Sequence, residues 1–217
     1  MHIIPTIKDP YSDFDTTTHT KQGSIARALT LNDIFFLGGI SFVGVVITLF
    51  IVTFIEGATV EHVGIAFMIR LLARAVFALP IGTFFDKHKG YTDEIWGLCF
   101  STSLFGILHV ALGFSTNIWQ LYVIMFFLGV LEAANASSWR ILFFGSISRA
   151  FLGKITGVYD MFYSVGTALC LVLGGYVAAS IGYDNTVIVG GLFIMVGGFL
   201  PLLIRGYLSK NELTGTK

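Results

Sequence analysis

Residues 79–93 read Leu-Pro-Ile-Gly-Thr-Phe-Phe-Asp-Lys-His-Lys-Gly-Tyr-Thr-Asp, and they hold the tightest cluster of charge after the N-terminal segment. Strongly apolar stretches flank this cluster, one ending at residue 85 and the next beginning at residue 95. A helix that crosses a membrane needs about 20 mostly apolar residues, and each flanking stretch supplies them. A short charged segment between two such stretches predicts a loop that joins two antiparallel membrane helices.

The composition of the whole chain is that of a membrane protein. Hydrophobic residues make up 55% of the 217 residues, charged residues 12%, and the mean hydropathy is +0.82. A soluble domain carries about 25% charged residues. The net charge is zero, which gives no basic surface for nucleic acid. Cys99 and Cys170 lie in apolar stretches, and metalloprotease and phosphate-loop motifs are missing from the sequence, so we expect no metal, no cofactor and no enzyme activity.

Six stretches are long and apolar enough to span a bilayer. The linkers between them are short, which predicts that successive helices are antiparallel neighbours in one bundle. Residues 1–30 are polar and predict a cytoplasmic tail that ends in a short surface helix around residues 25–31. Residues 205–217 predict a second cytoplasmic tail. The expected fold class is an all-α membrane protein with one six-helix domain over residues 31–204, with spans at 31–55, 60–85, 95–114, 118–144, 155–181 and 186–204.

The distribution of Lys and Arg predicts the orientation of this bundle, since positively charged segments stay on the cytoplasmic side. With the N-terminus inside, the cytoplasmic segments hold ten Lys and Arg residues and the outer loops hold none. The outer loops instead carry Glu56, Glu61 and Asp184. We therefore expect a multi-pass protein of the plasma or cytoplasmic membrane, with both ends of the chain in the cytoplasm.

Ionisable residues inside the predicted spans mark the candidate site. Arg70 and Arg74 are four residues apart and share one face of the second helix. Glu132 lies at a similar depth in the fourth helix, roughly 20 Å from the outer end at 1.5 Å per residue, so an Arg74–Glu132 ion pair is geometrically possible. Asn135 and Trp139 share the face of Glu132 and complete the candidate set. Charges at membrane depth usually face the bundle interior or a watery cavity.

Two interpretations of this set stay open. In the first it is a substrate or proton site, where Glu132 titrates and Arg70 attracts anionic groups. In the second it is a static internal ion pair. Other ionisable residues are weaker candidates, because helix capping explains Asp33 and Asp160 near predicted helix starts. His109 is expected to be a packed or interfacial residue.

Small residues recur in the fifth apolar stretch. Gly166, Cys170 and Gly174 are spaced every four residues, and Gly175 lies beside them. Residues with this spacing lie on one helix face, and small side chains there let two helices pack closely. The stripe therefore predicts a close helix–helix crossing.

The charged loop resembles a signature of the major facilitator superfamily. Gly82, Asp86, Lys87 and the glycine after them resemble its pattern of a Gly, three residues, an Asp, a basic residue, then Gly and basic residues, between helices 2 and 3. The chain departs from the pattern in one place, since Lys89 stands where Gly is usual and Gly90 comes one place late.

Three further segments are similar to the same superfamily. Residues 166–175 match the spacing of its Gly-x-x-x-Gly-Pro-x-x-Gly-Gly pattern, with Cys170 in place of the usual Gly and Leu171 in place of the usual Pro, which argues against antiport. Residues 134–139 and 153–160 resemble its segments around the loop between helices 4 and 5. Together these similarities cover most of the predicted spans.

The resemblance implies a secondary transporter built from half bundles, each a 3+3 inverted repeat of six helices. It implies that a small organic solute binds between two halves near the midplane of the bilayer. We therefore expect a homodimer, or a heterodimer with another six-helix chain. The alternatives are a membrane assembly or sensory subunit that does not transport, and one half of a split transporter.

The loop that carries the resemblance also has a predicted mechanical role. Asp86 lies at the C-terminal end of the second helix, where the helix dipole disfavours a carboxylate. We therefore expect it to pair across an interface, for example with Arg149, Lys154 or the N-terminus of a neighbouring helix, so that Gly82, Asp86 and Lys87 form a conformational latch. The alternative is a solvated loop whose positive charge only fixes the topology.

Overall fold

The computed structural model describes residues 16–87, 91–147 and 152–202, and these residues form seven α-helices with short connections. Five of these helices contain segments long and apolar enough to cross a membrane: Ile25–Gly44, Val60–Lys87, Thr92–Gly113, Ile118–Gly145 and Leu152–Ile181. The all-α membrane fold is therefore observed. In chain order the helices are α1 (Thr16–Gly44), α2 (Ile47–Phe54), α3 (Val60–Lys87), α4 (Thr92–Gly113), α5 (Ile118–Gly145), α6 (Leu152–Ile181) and α7 (Tyr183–Gly197).

The start of α1 differs from the prediction. The helix begins at Thr16, well before residue 31, and Ile25 and Leu29 are buried in a cluster that includes Leu98 of α4. A helix lying on the membrane surface near residues 25–31 is therefore a wrong prediction. The reason is that these two apolar side chains lie about one helical turn apart and both pack into the bundle.

The first predicted span, residues 31–55, is interrupted before its outer end. α1 ends at Gly44 and α2 begins at Ile47, so two valines lie in a turn between the helices. The amide of Val46 donates to the carbonyl of Val43 at 3.0 Å, which tightens this turn. Glycine and β-branched residues are poor helix formers, and the break falls where they meet. α1 and α2 together therefore occupy the place of the first span.

The last predicted span, residues 186–204, is shortened for a different reason. α7 begins at Tyr183 and ends at Gly197, which makes it apolar but only 15 residues long. Pro201 accounts for this end, because its nitrogen has no hydrogen to donate to the carbonyl of Gly197. The amide of Leu200 donates to that carbonyl instead, at 3.0 Å. Five long helices and the shorter α7 therefore stand where six spans were predicted.

The helices pack side by side in the order α3, α5, α4, α7, α1, α6. The closest pairs are α3 with α5, α4 with α7, and α1 with α6, so α3 and α6 lie at the two edges and leave most of their apolar surface exposed. The prediction that successive helices are neighbours holds for α4 and α5, which pack on each other, whereas α3 packs on α5 rather than on its successor α4. The interior between the helices is filled by side chains that include Phe36, Phe50, Phe105, Leu121 and Met125.

A glycine lies at the crossing of each of these three pairs. A Cβ atom at Gly129 of α5 would overlap a backbone carbonyl oxygen of α3, and one at Gly174 of α6 would overlap a carbonyl oxygen of α1. Between α4 and α7, a Cβ atom at Gly191 would lie 2.7 Å from the carbonyl oxygen of Gly106. Helices approach this closely only where no side chain intervenes. Small residues at the crossings therefore determine which helices pack closely, and adjacency in the sequence does not.

The two ends of the bundle differ in charge. At one end the amide of Glu56 donates to the carbonyl of Thr116 at 2.9 Å, which joins two of the connections. Gly182, with a φ of +90° that other residues rarely adopt, makes the turn between α6 and α7 at the same end. This end carries acidic residues and, within the described chain, no Lys or Arg. The described cations near the opposite end are Arg27, Lys87, Arg140 and Lys154.

Candidate functional site

Arg70, Arg74 and Glu132 form one ion cluster between α3 and α5. The Nε of Arg70 donates to Oε2 of Glu132 at 2.9 Å, and Nη1 of Arg74 donates to Oε1 of the same carboxylate at 2.7 Å. The Arg74–Glu132 ion pair that the residue count made possible is therefore present, and Arg70 joins it. The role of the cluster as a substrate or proton site stays a prediction.

The local sequence explains why these side chains meet. Arg70 and Arg74 are one turn apart, so both guanidinium groups project from the same face of α3. Gly129 lies about one turn before Glu132 on α5, and its missing side chain lets α5 approach the backbone of α3 at Arg70. A Cβ atom at this position would also lie 2.9 Å from the Cβ of Ala73. Two small residues thus bring the carboxylate within reach of both guanidinium groups.

The three charges differ in burial. The side chain of Arg70 is 9% exposed and that of Glu132 is 13% exposed, whereas that of Arg74 is 38% exposed. The guanidinium carbon of Arg70 also lies 5.4 Å from the ring centroid of Phe105 in α4, a cation–π contact. The ring of His109 lies 4.7 Å from that of Phe105, centroid to centroid, and His109 is a buried, packed residue. Arg70 is therefore the fixed member of the ion cluster, and Arg74 is the accessible one.

Asn135 and Trp139, which share a helix face with Glu132, contact other helices instead. Nδ2 of Asn135 donates to Oγ1 of Thr102 in α4 at 2.8 Å, and both residues are buried. Nε1 of Trp139 donates to the carbonyl oxygen of Leu29 in α1 at 3.4 Å. The structure thus divides the predicted set into the ion cluster and two residues that tie α5 to α4 and α1.

Asp33 lies in the interior of the bundle rather than at a helix start. It falls well inside α1, so a helix-capping role for Asp33 is wrong. Oδ2 of its carboxylate accepts a hydrogen bond from the hydroxyl of Tyr159 in α6 at 2.6 Å, and Asp33 is 4% exposed. Asp160, the other predicted cap, lies inside α6 and is exposed. The apolar residues from Ile25 onward are the signal that would have placed Asp33 within the bundle.

The predicted latch lies at the C-terminal end of α3. Asp86 and the lysine after it are exposed, and a Cβ atom at Gly82 would meet nothing within 4 Å. Lys154 forms no ion pair with Asp86 among the residues that the structure describes. Arg149 and residues 88–90 lie outside the described ranges. This end of α3 therefore presents an open face, and its role as a latch stays a prediction.

The small-residue stripe of α6 lies along its contact with α1. Gly166, Cys170 and Gly174 all face that helix, and the sulfur of Cys170 would lie 2.9 Å from a Cβ atom at Gly38. Gly175 lies beside the crossing, where the nearest atom to an added Cβ would be 3.9 Å away. The stripe thus takes part in the packing of α1 against α6, with Gly174 at the tightest point.

A comparison with protein families bears directly on the identity of this bundle. The family model described as Major Facilitator Superfamily matches residues 33–215, which include the ion cluster, Asp33 and the charged loop. The chain belongs to the major facilitator superfamily. Members of the superfamily are membrane transport proteins rather than enzymes, so the apolar helices belong to a multi-pass membrane protein. A search of curated proteins finds no match to this chain.

For a member of the superfamily, the ion cluster offers a definite chemistry. Two guanidinium groups share one carboxylate, which leaves one excess positive charge. The remaining N–H groups of Arg74 can donate to a carboxylate or phosphate in the bidentate geometry that arginine favours. Within the described ranges, no three His, Cys, Asp or Glu side chains are grouped so that they could hold a metal ion. The ion cluster can therefore bind an anionic group through Arg74.

Proposed function

We propose that this chain moves a small organic solute across the membrane by alternating access, as a secondary transporter, and that Arg70, Arg74 and Glu132 form its solute site. The observation that carries the proposal is the 38% exposure of the Arg74 side chain. Arg74 lies about 20 Å from the outer end of α3 at 1.5 Å per residue. A charge at that depth is costly unless protein or water surrounds it. A water-filled solute cavity on this side of α3 meets the requirement.

The packing order of the helices supports six spans in a 3+3 inverted repeat. The first repeat is α1 with α2, then α3 and α4, and the second is α5, α6 and α7. When the second repeat is matched to the first, the contact of α3 with α5 corresponds to the contact of α6 with α1. The contact of α4 with α5 corresponds to that of α7 with α1, and the contact of α4 with α7 corresponds to itself. Successive spans alternate in direction, so corresponding helices run in opposite senses, as in an inverted-topology repeat. In this proposal α7 is the described part of the sixth span, and residues 203–204 of the predicted span lie outside the described ranges.

The charge asymmetry of the bundle supports its orientation. The described end that carries Arg27, Lys87, Arg140 and Lys154 is the cytoplasmic one in this proposal, because basic segments stay inside. The first helix starts and the last helix ends at that side, so both ends of the chain lie in the cytoplasm. We propose the plasma or cytoplasmic membrane as its location.

A second six-helix unit would complete the solute cavity. Solutes in this architecture bind between two halves near the midplane, and one half alone leaves Arg74 facing lipid. A second unit that packs over the exposed side of α3 would supply the other wall. We propose a homodimer, or a heterodimer with another six-helix chain, as the transporting form.

The geometry suggests how the site responds to solute. An incoming carboxylate or phosphate competes with Glu132 for Arg74, while Arg70 keeps its bond to Oε2. Loss of one of the two bonds loosens the crossing of α3 and α5, which gives the solute different contacts in the two access states.

Uptake by proteoliposomes tests the proposal. The purified full chain is reconstituted and exposed to a defined mixture of organic acids, amino acids, sugars and amines, and the trapped solutes are measured by mass spectrometry. We expect an organic acid to accumulate and Arg74→Gln to reduce its uptake about tenfold or more, since a hydrogen bond to a charged group is worth about 1.5–3 kcal/mol. Arg140→Gln, which removes an exposed arginine near the cytoplasmic end of α5, is the matched control and should leave uptake unchanged.

The same experiment separates the alternatives. A folded protein that takes up none of these solutes would favour a non-transporting assembly or sensory subunit. Uptake that appears only after a second six-helix chain is added would favour one half of a split transporter. Uptake of neutral solutes that is insensitive to Arg74→Gln would leave transport in place but remove the ion cluster as its site.

A further inference from the structure

An open cleft lies at the acidic end of the bundle, between the starts of α3 and α5. Its volume is about 470 Å³, which falls in the range of sites for small molecules. Arg74 lies about 20 Å farther along α3 at 1.5 Å per residue, so this cleft is separate from the ion cluster. The residues that line it, and that define the acidic cleft, are Glu56, His62, Asn117, Ile118, Trp119 and Tyr122.

Hydrogen bonds hold the rim of the acidic cleft in place. The amide of Glu56 donates to a carbonyl oxygen of the α4–α5 connection at 2.9 Å, and the amide of Trp119 donates to Oδ1 of Asn117 at 2.8 Å. The amide of Thr59 donates to Nδ1 of His62 at 3.2 Å. A ring nitrogen that accepts a bond carries no hydrogen, so His62 in this arrangement is an uncharged imidazole. The lining residues are positioned before a ligand arrives, which lowers the cost of binding.

Two aromatic rings form adjacent walls of the acidic cleft. The ring centroids of Trp119 and Tyr122 lie 6.2 Å apart, and their planes are nearly perpendicular at 85°. Trp119 is 75% exposed, which leaves its ring open to a ligand. The face of an aromatic ring attracts a cation, and Trp does so most strongly. Trp and Tyr are common at the ends of membrane helices, but here they share a cleft with a carboxylate.

That carboxylate, on Glu56, supplies a full negative charge. The residue is exposed, and it forms no ion pair within the part of the chain that the structure describes. Glu61 and Asp184 carry two more negative charges at this end. The starts of α3, α5 and α7 bring only about half an elementary positive charge each. The three carboxylates outweigh these helix starts, so the acidic cleft attracts cations.

The chemistry of the lining selects among cations. Ca²⁺ takes about six to eight oxygen ligands and Zn²⁺ about three or four protein ligands, more than one carboxylate and one imidazole supply. A primary ammonium group carries strongly hydrated N–H donors, each of which needs an acceptor. A quaternary ammonium group has no N–H to satisfy, and its methyl groups contact ring faces directly. The acidic cleft therefore fits a quaternary ammonium group best.

We propose that the acidic cleft binds a quaternary ammonium group, an inference that goes beyond the proposed transport function and does not require it. The ammonium group lies over the ring of Trp119 with Tyr122 at its side, and the carboxylate of Glu56 neutralises its charge. Two sources present this group to the cleft, the choline headgroup of a lipid and a free organic ammonium ion.

Binding of choline to the purified full chain tests this site. The protein is kept in a maltoside detergent, which has no ammonium group, and the binding of tritiated choline is measured by scintillation proximity. We expect saturable binding that unlabelled choline displaces. The uncharged analogue, in which carbon replaces the nitrogen, should displace it at least about fivefold less well, because it lacks the attraction of a cation to the rings. Equal displacement by the two compounds would overturn the proposal.

Single substitutions assign the binding to the acidic cleft. Glu56→Gln removes the charge but keeps the rim, because it is the amide of this residue that bonds to the neighbouring connection. We expect Glu56→Gln and Trp119→Leu each to weaken choline binding about fivefold or more. The matched controls are Glu61→Gln and Phe114→Leu, which change an exposed acid and an exposed aromatic residue outside the cleft. Equal losses in the controls would overturn the proposal.

A conservative variant guards against misfolding of Trp119→Leu. Trp119→Phe keeps an aromatic face, so it should bind choline more tightly than Trp119→Leu does. Equal affinities of these two variants, both folded by size-exclusion elution and denaturation midpoint, would contradict a contact between the ammonium group and the ring.

Nanodiscs distinguish the lipid headgroup from the free ion. One set contains phosphatidylcholine, and the other contains phosphatidylethanolamine with phosphatidylglycerol. Choline binding that occurs only in the second set would assign the cleft to the lipid headgroup, and binding in both would assign it to a free ion. Binding in neither set, with the protein folded, would overturn the proposal. Because no arm requires transport, a protein that binds choline but takes up no solute would count against the proposed function alone.

Discussion

Glu132 is the residue on which the ion cluster depends, because its carboxylate accepts bonds from both guanidinium groups. Glu132→Gln leaves Arg70 buried with an uncompensated charge, and removing one partner of a buried pair costs about 3–5 kcal/mol. We expect a large fall in the denaturation midpoint of the purified protein in detergent. Arg74→Gln should lower the midpoint far less, because the Arg74 side chain is 38% exposed. Differential scanning fluorimetry measures both.

Removing the buried pair as a whole is the control for this prediction. Arg70→Met combined with Glu132→Met deletes both charges at once, and apolar replacement of a buried pair is often neutral for stability. The double variant should therefore recover much of the stability that Glu132→Gln loses. A Glu132→Gln protein as stable as the wild type would contradict a tightly paired cluster.

The sequence could predict the contact of Arg74 with Glu132 but not that of Asp33 with Tyr159. The depths of Arg74 and Glu132 follow from counting residues along regular helices from their outer ends, so their pairing could be anticipated. The bond between Asp33 and Tyr159 joins residues 126 positions apart. It depends on the packing of α6 against α1, and on an early start of α1 that the polar residues before Ile25 concealed.

At the scale of the helices, two adjacent glycines test the crossing of α1 and α6. A Cβ atom at Gly174 would overlap the carbonyl oxygen of Phe42, a backbone atom that cannot move aside alone. At Gly175 the nearest atom would belong to Val45, at 3.9 Å. Gly174→Ala should therefore lower stability by about 1–3 kcal/mol through overpacking. Gly175→Ala should be neutral or slightly stabilising, since alanine favours helix by about 1 kcal/mol over glycine.

Chemical denaturation of the two variants in the same detergent measures this difference. Asp160→Asn changes an exposed residue of α6 and is the control, because it shows how large a stability change is when the crossing is not affected. Equal losses for Gly174→Ala and Gly175→Ala would contradict a crossing centred on Gly174.

Helix bounds were easier to predict than helix pairs. α5 begins where expected because Asn117 caps it, its side chain accepting a hydrogen bond from the amide of Trp119 at 2.8 Å. Such local signals lie within a few residues of the feature they mark. The pairs of α3 with α5, α4 with α7 and α1 with α6 depend on glycines such as Gly129 meeting a distant backbone. Which backbone they meet cannot be deduced from spacing on one helix.

At the scale of the whole molecule, a substitution at Gly82 on α3 can distinguish a single six-helix unit from a larger assembly. Within the described residues a side chain there would meet nothing within 4 Å, so Gly82→Leu should leave the stability of the unit unchanged. If this end of α3 contacts a second unit, the same variant should shift the protein from dimer to monomer in nanodiscs and reduce uptake. Light scattering and uptake by one preparation measure both effects.

A second open glycine gives the matched control for this prediction. Gly44, the last residue of α1, also has open space around an added Cβ and lies away from α3. Gly44→Leu should therefore leave the dimer intact. A Gly82→Leu protein that is dimeric and fully active would contradict the latch and favour a loop that only fixes the topology.

In the proposed transporter, Arg74 at membrane depth recognises an anionic solute in the cavity. The most direct measurement is the uptake rate of the accumulated organic acid by proteoliposomes that carry the wild type, Arg74→Lys or Arg74→Gln. We expect uptake to fall in that order, because lysine keeps the charge but loses the bidentate geometry and glutamine loses both. Uptake by a folded Arg74→Gln protein at the wild-type rate would contradict it.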